Sequence, residues 1–126
     1  MAREYTRTQR VAQLLKEEIS RLLQREVKDA RIGLVTVTDV RVTRDLKYAD
    51  VYVYLSGDEE RRAKALEGLT SAAGFMRTRL GRELTIRRMP ELRFVLDRTQ
   101  DHATRIHELL SELGPIEQSD EGEDGQ

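Results

Sequence analysis

The chain contains no cysteine, which excludes disulfides, thiolate zinc sites and cysteine nucleophiles and leaves stability to packing and hydrogen bonding. It has two prolines, Pro90 and Pro115, and both fall where the pattern changes from one element to the next. Aromatic residues are 5% of the 126, and three of the tyrosines, Tyr48, Tyr52 and Tyr54, crowd into one short segment. No apolar run approaches the roughly 20 residues a bilayer span requires. Met1 to Arg10 is polar and charged rather than signal-like, so a cytoplasmic protein without membrane attachment is expected. No glycine-rich phosphate loop with its lysine appears. Nor does a serine, histidine and acid set around a nucleophile turn, so nothing in the sequence supports enzymatic activity. His102 and His107 are five apart and fall on different faces of a helix, not in the i, i+4 arrangement that shares a metal. The acidic clusters Asp58-Glu59-Glu60 and Glu121 to Asp124 are accounted for by a helix start and a tail. Neither a metal nor a cofactor is expected.

What is present is a chain with 38% hydrophobic and 36% charged residues, enough apolar side chains for one core under a highly charged surface. The formal net charge of −1 hides an asymmetry. All 22 Lys and Arg precede Pro115, while five of the 23 acidic residues follow it, so residues 1–114 carry a net excess of four positive charges. A single domain over 1–114 and an acidic, disordered tail over 115–126 are predicted. The basic body suits an anionic partner without identifying one.

Val11, Leu14, Leu15, Ile19, Leu22, Leu23 and Val27 recur at three- and four-residue steps, which predicts a helix from about Thr6 to Val27 with its stop in Asp29–Gly33. Leu34 to Arg44 is rich in valine and threonine. Ala49, Val51, Val53 and Leu55 then alternate with Asp50, Tyr52 and Tyr54, so two strands joined at Arg44–Lys47 follow, the second with aliphatics on one face and tyrosines on the other. Ser56 or Asp58 caps the next helical stretch, Glu59 to Leu80. Gly74 interrupts its apolar stripe, which suggests two helices meeting in a kink at Ala72-Ala73-Gly74. Leu92, Phe94 and Leu96 alternate in a third strand after Pro90. Ala103, Ile106, Leu109, Leu110 and Leu113 form a last amphipathic helix, with Thr99 and Asp101 as cap candidates. The fold class is therefore α+β, a three-stranded mixed sheet whose apolar face is covered by helices.

Between Ala72 and Arg98 stand Arg77, Arg79, Arg82, Arg87, Arg88, Arg93 and Arg98 against only Glu83, Glu91 and Asp97, the most basic stretch of the chain. Arginine's planar fork suits phosphate, and phosphate contacts supply most non-specific nucleic-acid affinity. The glycine junction adds close backbone approach and the N–H groups of a new helix start. The plainer alternative is a solvated basic face beside a packing kink. Tyr48, Tyr52 and Tyr54 offer platforms for bases, or else pack with their hydroxyls wet.

Several motifs in order give the chain a resemblance to the ribosome-binding factor A family over nearly all of Arg3–Leu113. They are Arg7-x-x-Arg10-Val11-Ala12, Leu34-Val35-Thr36-Val37-Thr38-Asp39-Val40, Asp45-Leu46 followed by Ala49-x-Val51-Tyr52-Val53, Ala72-Ala73-Gly74-Phe75-x-Arg77, and Pro90-Glu91-Leu92-x-Phe94-x-x-Asp97. The resemblance implies a type II KH-like domain in which an Ala-x-Gly kink, here Ala72-Ala73-Gly74, replaces the Gly-x-x-Gly loop, followed by a C-terminal helix. It further implies a non-enzymatic monomer that binds the free 30S small ribosomal subunit, assists late 16S rRNA maturation including processing at the 5′ end, and is linked to growth in the cold. Shape and phosphate recognition of folded rRNA is then expected, with Arg77, Arg79, Arg82, Arg87 and Arg88 as phosphate partners and Gly74 as hinge. Arg7 and Arg10 form a second patch. The competing readings are a general RNA or single-stranded nucleic-acid binding module and a protein-interaction domain.

Overall fold

The structure is a computed structural model that describes residues 6–113; the acidic tail expected at 115–126 lies outside the described residues. The first helix, α1, spans Arg7–Arg25. Its start is fixed reciprocally: the Thr6 hydroxyl accepts from the Gln9 backbone N–H at 3.2 Å, and the Gln9 side chain accepts from the Thr6 N–H at 2.8 Å. The helix ends on Glu26, whose N–H donates to the Leu22 carbonyl. Gly33, with φ +61°, belongs to the connection that follows and is not the stop expected from the sequence.

The strands are β1 Val35–Val42, β2 Tyr48–Leu55 and β3 Glu91–Leu96, separated after β2 by helix α2, Glu59–Glu83, and followed by α3, Thr99–Leu113. The sheet order is β1-β2-β3. The first pair is antiparallel and the second parallel, the mixed sheet expected from a helical crossover. On one face, Ala49, Val51, Val53 and Leu55 of β2 are fully buried beneath Leu15 and Ile19 of α1 and Leu69, Met76 and Leu80 of α2. Each such leucine, isoleucine or methionine contributes about 1.5–3 kcal/mol on leaving water. Asp58 caps α2 by accepting from the Arg61 N–H at 2.9 Å, one of the two caps expected there.

One irregularity in β1 explains its composition. Val37 pairs with Val53 and Asp39 with Tyr52, so Thr38 is an extra residue in the ladder. A bulge of this kind reverses the side-chain alternation. Val35 and Val37 face the core before it, and Val40 and Val42 face the core after it. Thr38 is left on the open face, where its hydroxyl donates to the Asp97 carboxylate just beyond β3 and ties the two edge strands across β2. Asp97 also accepts from the Thr99 N–H at 2.9 Å.

Two further expectations need correction. The stretch containing Ala72-Ala73-Gly74 is not a junction of two helices: α2 is one helix of 25 residues with Gly74 inside it. Burial of Leu69 on one side and of Met76 and Leu80 on the other outweighs the glycine's cost of about 1 kcal/mol. The helix start expected after Gly74 does not exist, and neither do its free N–H groups. The glycine that does meet a close neighbour is Gly68, where an added Cβ would lie 2.8 Å from the Ile32 side chain. The second correction concerns α3, none of whose residues is buried. Thr99 and Asp101 lie inside its first turn rather than before it, and Asp97 accepts the N-terminal hydrogen bond.

Two outcomes follow. Gly74→Ala meets no atom within 4 Å and should raise stability by about 0.5–1 kcal/mol in urea unfolding, whereas Gly68→Ala should lower it; a destabilising Gly74→Ala would restore the hinge. Hydrogen bonds from Thr38 and Thr99 hold the Asp97 carboxyl down at about 2. Its contribution is therefore fully present above about pH 4 and is lost as pH falls through that lowered value. Urea midpoints taken across this range should fall less steeply for Asp97→Asn than for the unchanged chain, and identical slopes would remove Asp97 from the acid response.

Candidate nucleic-acid interface

An arginine already held by protein groups must break those bonds to meet a phosphate, so the partners of each guanidinium sort the candidates. Arg77 points at the approach to β3: its Nη2 donates to the Met89 carbonyl at 2.9 Å and its Nε to the Pro90 carbonyl at 3.2 Å. Arg79 joins α2 to the end of α1 through Glu26, and it also meets Glu83 at 3.3 Å. Arg93 pairs with Asp50 at 2.7 Å and Arg98 with Glu59 at 2.8 Å. These acids raise the pKa of Arg79, Arg93 and Arg98 above the ordinary guanidinium value, chiefly through the hydrogen bonds themselves. Four of the seven arginines in the basic stretch are thus engaged within the fold.

The other three are not. Among the described residues, Arg82, Arg87 and Arg88 have no ion-pair or hydrogen-bond partner, and neither has Arg7. Arg87 and Arg88 stand in the connection between α2 and β3, and Arg7 is the first residue of α1. The fold brings Arg7, Arg87 and Arg88 into one cleft of about 350 Å³, whose remaining lining is Asp45 and Leu46 of the β1–β2 turn. The two patches expected separately, Arg7 with Arg10 and the arginines after Gly74, therefore meet at Arg7. Arg10 lies further along α1 and is exposed, and Arg82 is exposed on the last turn of α2.

The turn that closes the cleft is firmly held. Asp45 accepts from the Thr43 hydroxyl at 2.8 Å and from the Lys47 N–H at 3.0 Å. Those bonds, the Lys47 one foremost, lower its pKa and keep it ionised. Leu46 adopts φ 62°, a left-handed conformation that costs a non-glycine residue about 1–2 kcal/mol. The single carboxylate in the cleft is thus committed to the turn, and against the three guanidinium groups it leaves a net excess of two positive charges.

Ala72 and Ala73 are half-buried in α2 and Gly74 is exposed. Ala72 borders a second, shallower cleft of about 320 Å³ with Phe75, Lys28 and the start of the connection after α1. Phe75 is 47% exposed. Neither Phe75 nor Lys28 was among the expected site residues, although a phenylalanine off the apolar stripe of α2 is a legible sign of an outward-facing aromatic. The tyrosines do not form an open platform. Arg93 lies 4.2 Å from the ring centre of Tyr48, Arg41 5.3 Å from that of Tyr52, and Arg62 5.7 Å from that of Tyr54. Each ring has one face occupied by a guanidinium. Among the described residues no cluster of three or more His, Asp or Glu is placed to hold a metal.

Residues 7–110 match a family model described as ribosome-binding factor A. A protein of that name from Halothermothrix orenii is 44% identical over 117 residues, covering 93% of this chain and 96% of its own. Another from Shewanella sediminis is 46% identical over 114 residues, 90% of this chain and 80% of its own. Among solved structures, the crystal structure of ribosome-binding factor A from Thermus thermophilus superposes with a TM-score of 0.65 at 30% identity, over 75% of this chain and all of that one. A Thermus thermophilus ribosome-binding factor A model, fitted into a cryo-EM map of a complex with 30S, gives a TM-score of 0.58 at 32% identity over 68% of this chain and 90% of its own.

The division among the arginines has a measurable consequence for stability. Arg77→Ala and Arg79→Ala each remove a tie between elements and should lower the urea midpoint. Arg87→Ala and Arg88→Ala remove groups without protein partners and should leave it unchanged. Equal effects from the two sets would contradict the sorting.

Proposed function

The chain belongs to the ribosome-binding factor A family, and from that premise we propose that it binds the free 30S small ribosomal subunit and assists late maturation of 16S rRNA, including processing at its 5′ end. It does so as a cytoplasmic monomer that makes and breaks no bond and uses no cofactor, with its role most needed in the cold. The complex of a Thermus relative with 30S supports the choice of particle. The observation that carries the reading is the cleft of Arg7, Arg87 and Arg88, three guanidinium groups with no protein partner among the described residues.

Phosphate oxygens are the natural occupants of such a cleft, because a planar guanidinium donates two parallel hydrogen bonds to them and its charge displaces their counterions. Arg82 and Arg10 extend the basic surface, and Phe75 with Lys28 beside Ala72, Ala73 and Gly74 offers a second point of contact. Arg77 and Arg79 serve this surface by holding α2 against the approach to β3 and the end of α1. With the tyrosine rings covered on one face by arginine, recognition rests on the shape of folded rRNA and its backbone rather than on stacked single-stranded bases. Such a protein acts by binding one rRNA conformation more tightly than another and so shifting the population toward it.

The test is binding to purified small subunits over a range of salt. The triple variant Arg7→Ala, Arg87→Ala, Arg88→Ala should bind more weakly and show a salt slope reduced by about one for each phosphate left unneutralised. Unrelated oligonucleotides should compete poorly against the unchanged chain. An unchanged slope would remove the cleft from the interface, and equal competition by any RNA would reduce the function to general nucleic-acid binding.

A further inference from the structure

The exposed helix α3 carries a defined stripe. Thr99, Ala103, Ile106, Leu110 and Leu113 recur at steps of three and four and share one face, with Leu109 beside them. Ile106, Leu109, Leu110 and Leu113 are 48–70% exposed, and an apolar stripe of this size standing in water usually marks a contact that forms in another state. The structure indicates where that contact lies. Thr99, the first member of the stripe, lines a groove of about 470 Å³ together with Gln100, and the opposite wall is Thr36, Thr38 and Tyr54 on the open face of the sheet. The stripe therefore starts at the edge of the open sheet, where Thr99 and Gln100 of the first turn meet it.

The open face is mixed, with Asp39, Arg41, Asp50 and Arg93 around its tyrosines, and its apolar part lies at the centre. Tyr52 and Tyr54 are half-buried, and Val95, paired with Tyr52 in the ladder, is exposed. The lengths agree as well, since the 15 residues of α3 and the eight of β2 span about 22 Å and about 26 Å respectively. Only the first turn of α3 is fastened to the body. Arg62, itself buried, donates to the Leu55 carbonyl at 2.9 Å and to both Asp101 oxygens at 2.6 and 2.8 Å, while Arg98 holds Glu59. Beyond Asp101, no side-chain hydrogen bond or ion pair joins α3 to the rest of the described residues.

We propose that α3 is a strap that closes over the open face of the sheet, laying Ile106, Leu109 and Leu110 on Tyr52, Tyr54 and Val95 and pivoting on the Arg62–Asp101 pair. A second copy of the chain is the competing occupant, but the pivot keeps the stripe and the sheet at an effective concentration in the millimolar range, which favours the internal contact in dilute solution. Closing covers the tyrosine face, and opening presents both it and the helix to a partner. The strap is independent of the ribosomal reading.

The chain has no cysteine of its own, so a pair can be introduced without interference. In the full chain at low concentration under mild oxidation, Val95→Cys with Ile106→Cys should form an intrachain disulfide at least about tenfold faster than Val95→Cys with Glu108→Cys, because a disulfide needs close, facing Cα atoms and Glu108 lies on the far side of the helix. All these positions are exposed, so the core is left intact. Equal rates for the two pairs would overturn the strap. Disulfide-linked dimers whose yield rises with concentration would assign the stripe to a second copy and overturn it equally.

Discussion

A strand reverses its side chains at every residue, and β2 obeys that rule over its whole length at the centre of the sheet. Its aliphatic side supplies the floor on which α1 and α2 pack, so the position of both helices depends on it. Its other side presents Tyr48, Tyr52 and Tyr54, and the neighbouring elements answer with Arg93 from β3, Arg41 from β1 and Arg62 from α2. Each of these guanidinium groups also meets an acid, Arg93 with Asp50, Arg41 with Asp39 and Arg62 with Asp101. A guanidinium over a ring with an acid at its edge, as Arg93 has in Asp50, is already satisfied. The arginines of the cleft and of the surface beside it, Arg7, Arg82, Arg87 and Arg88, lie elsewhere, at the start of α1, the end of α2 and the connection into β3.

That separation explains why charge counted along the sequence and charge placed in space differ. Seven arginines within 72–98 look like one continuous patch, yet Arg77, Arg79, Arg93 and Arg98 are taken up by carbonyls and carboxylates. The cleft is completed by Arg7, from the first helix and far in sequence from Arg87 and Arg88. Its turn is built by Asp45 and a left-handed Leu46, which compositional reading has no means to detect. Because it draws on three distant segments, the cleft exists only in the folded chain.

The periodic parts of the fold were legible. Apolar steps of three and four placed α1 and α3, and alternation placed β2 and β3, because each of those patterns has one geometric solution. Where one residue admits two solutions, the sequence was silent or misleading. Gly74 reads as a break but sits within a continuous helix, since burial on both sides decides the matter. Gly68 attracted no notice and yet makes the close approach to Ile32. Thr38 shifts the register of β1, a change visible afterwards in the spacing of Val37 and Val40 but hidden by a run of β-formers. The apolar stripe of α3 was plain, but a stripe does not say when it is covered.

On the proposed reading, the cleft between α1, the β1–β2 turn and the approach to β3 is where the chain meets ribosomal RNA. A photo-activated cross-linking residue in place of Leu46, compared with one in place of Thr36 on the open sheet face, measures this directly in mixtures with free small subunits. Cross-links to 16S rRNA from position 46, fading with rising salt, are the expected result. Cross-links to rRNA from position 36 alone would place the interface on the sheet and contradict it.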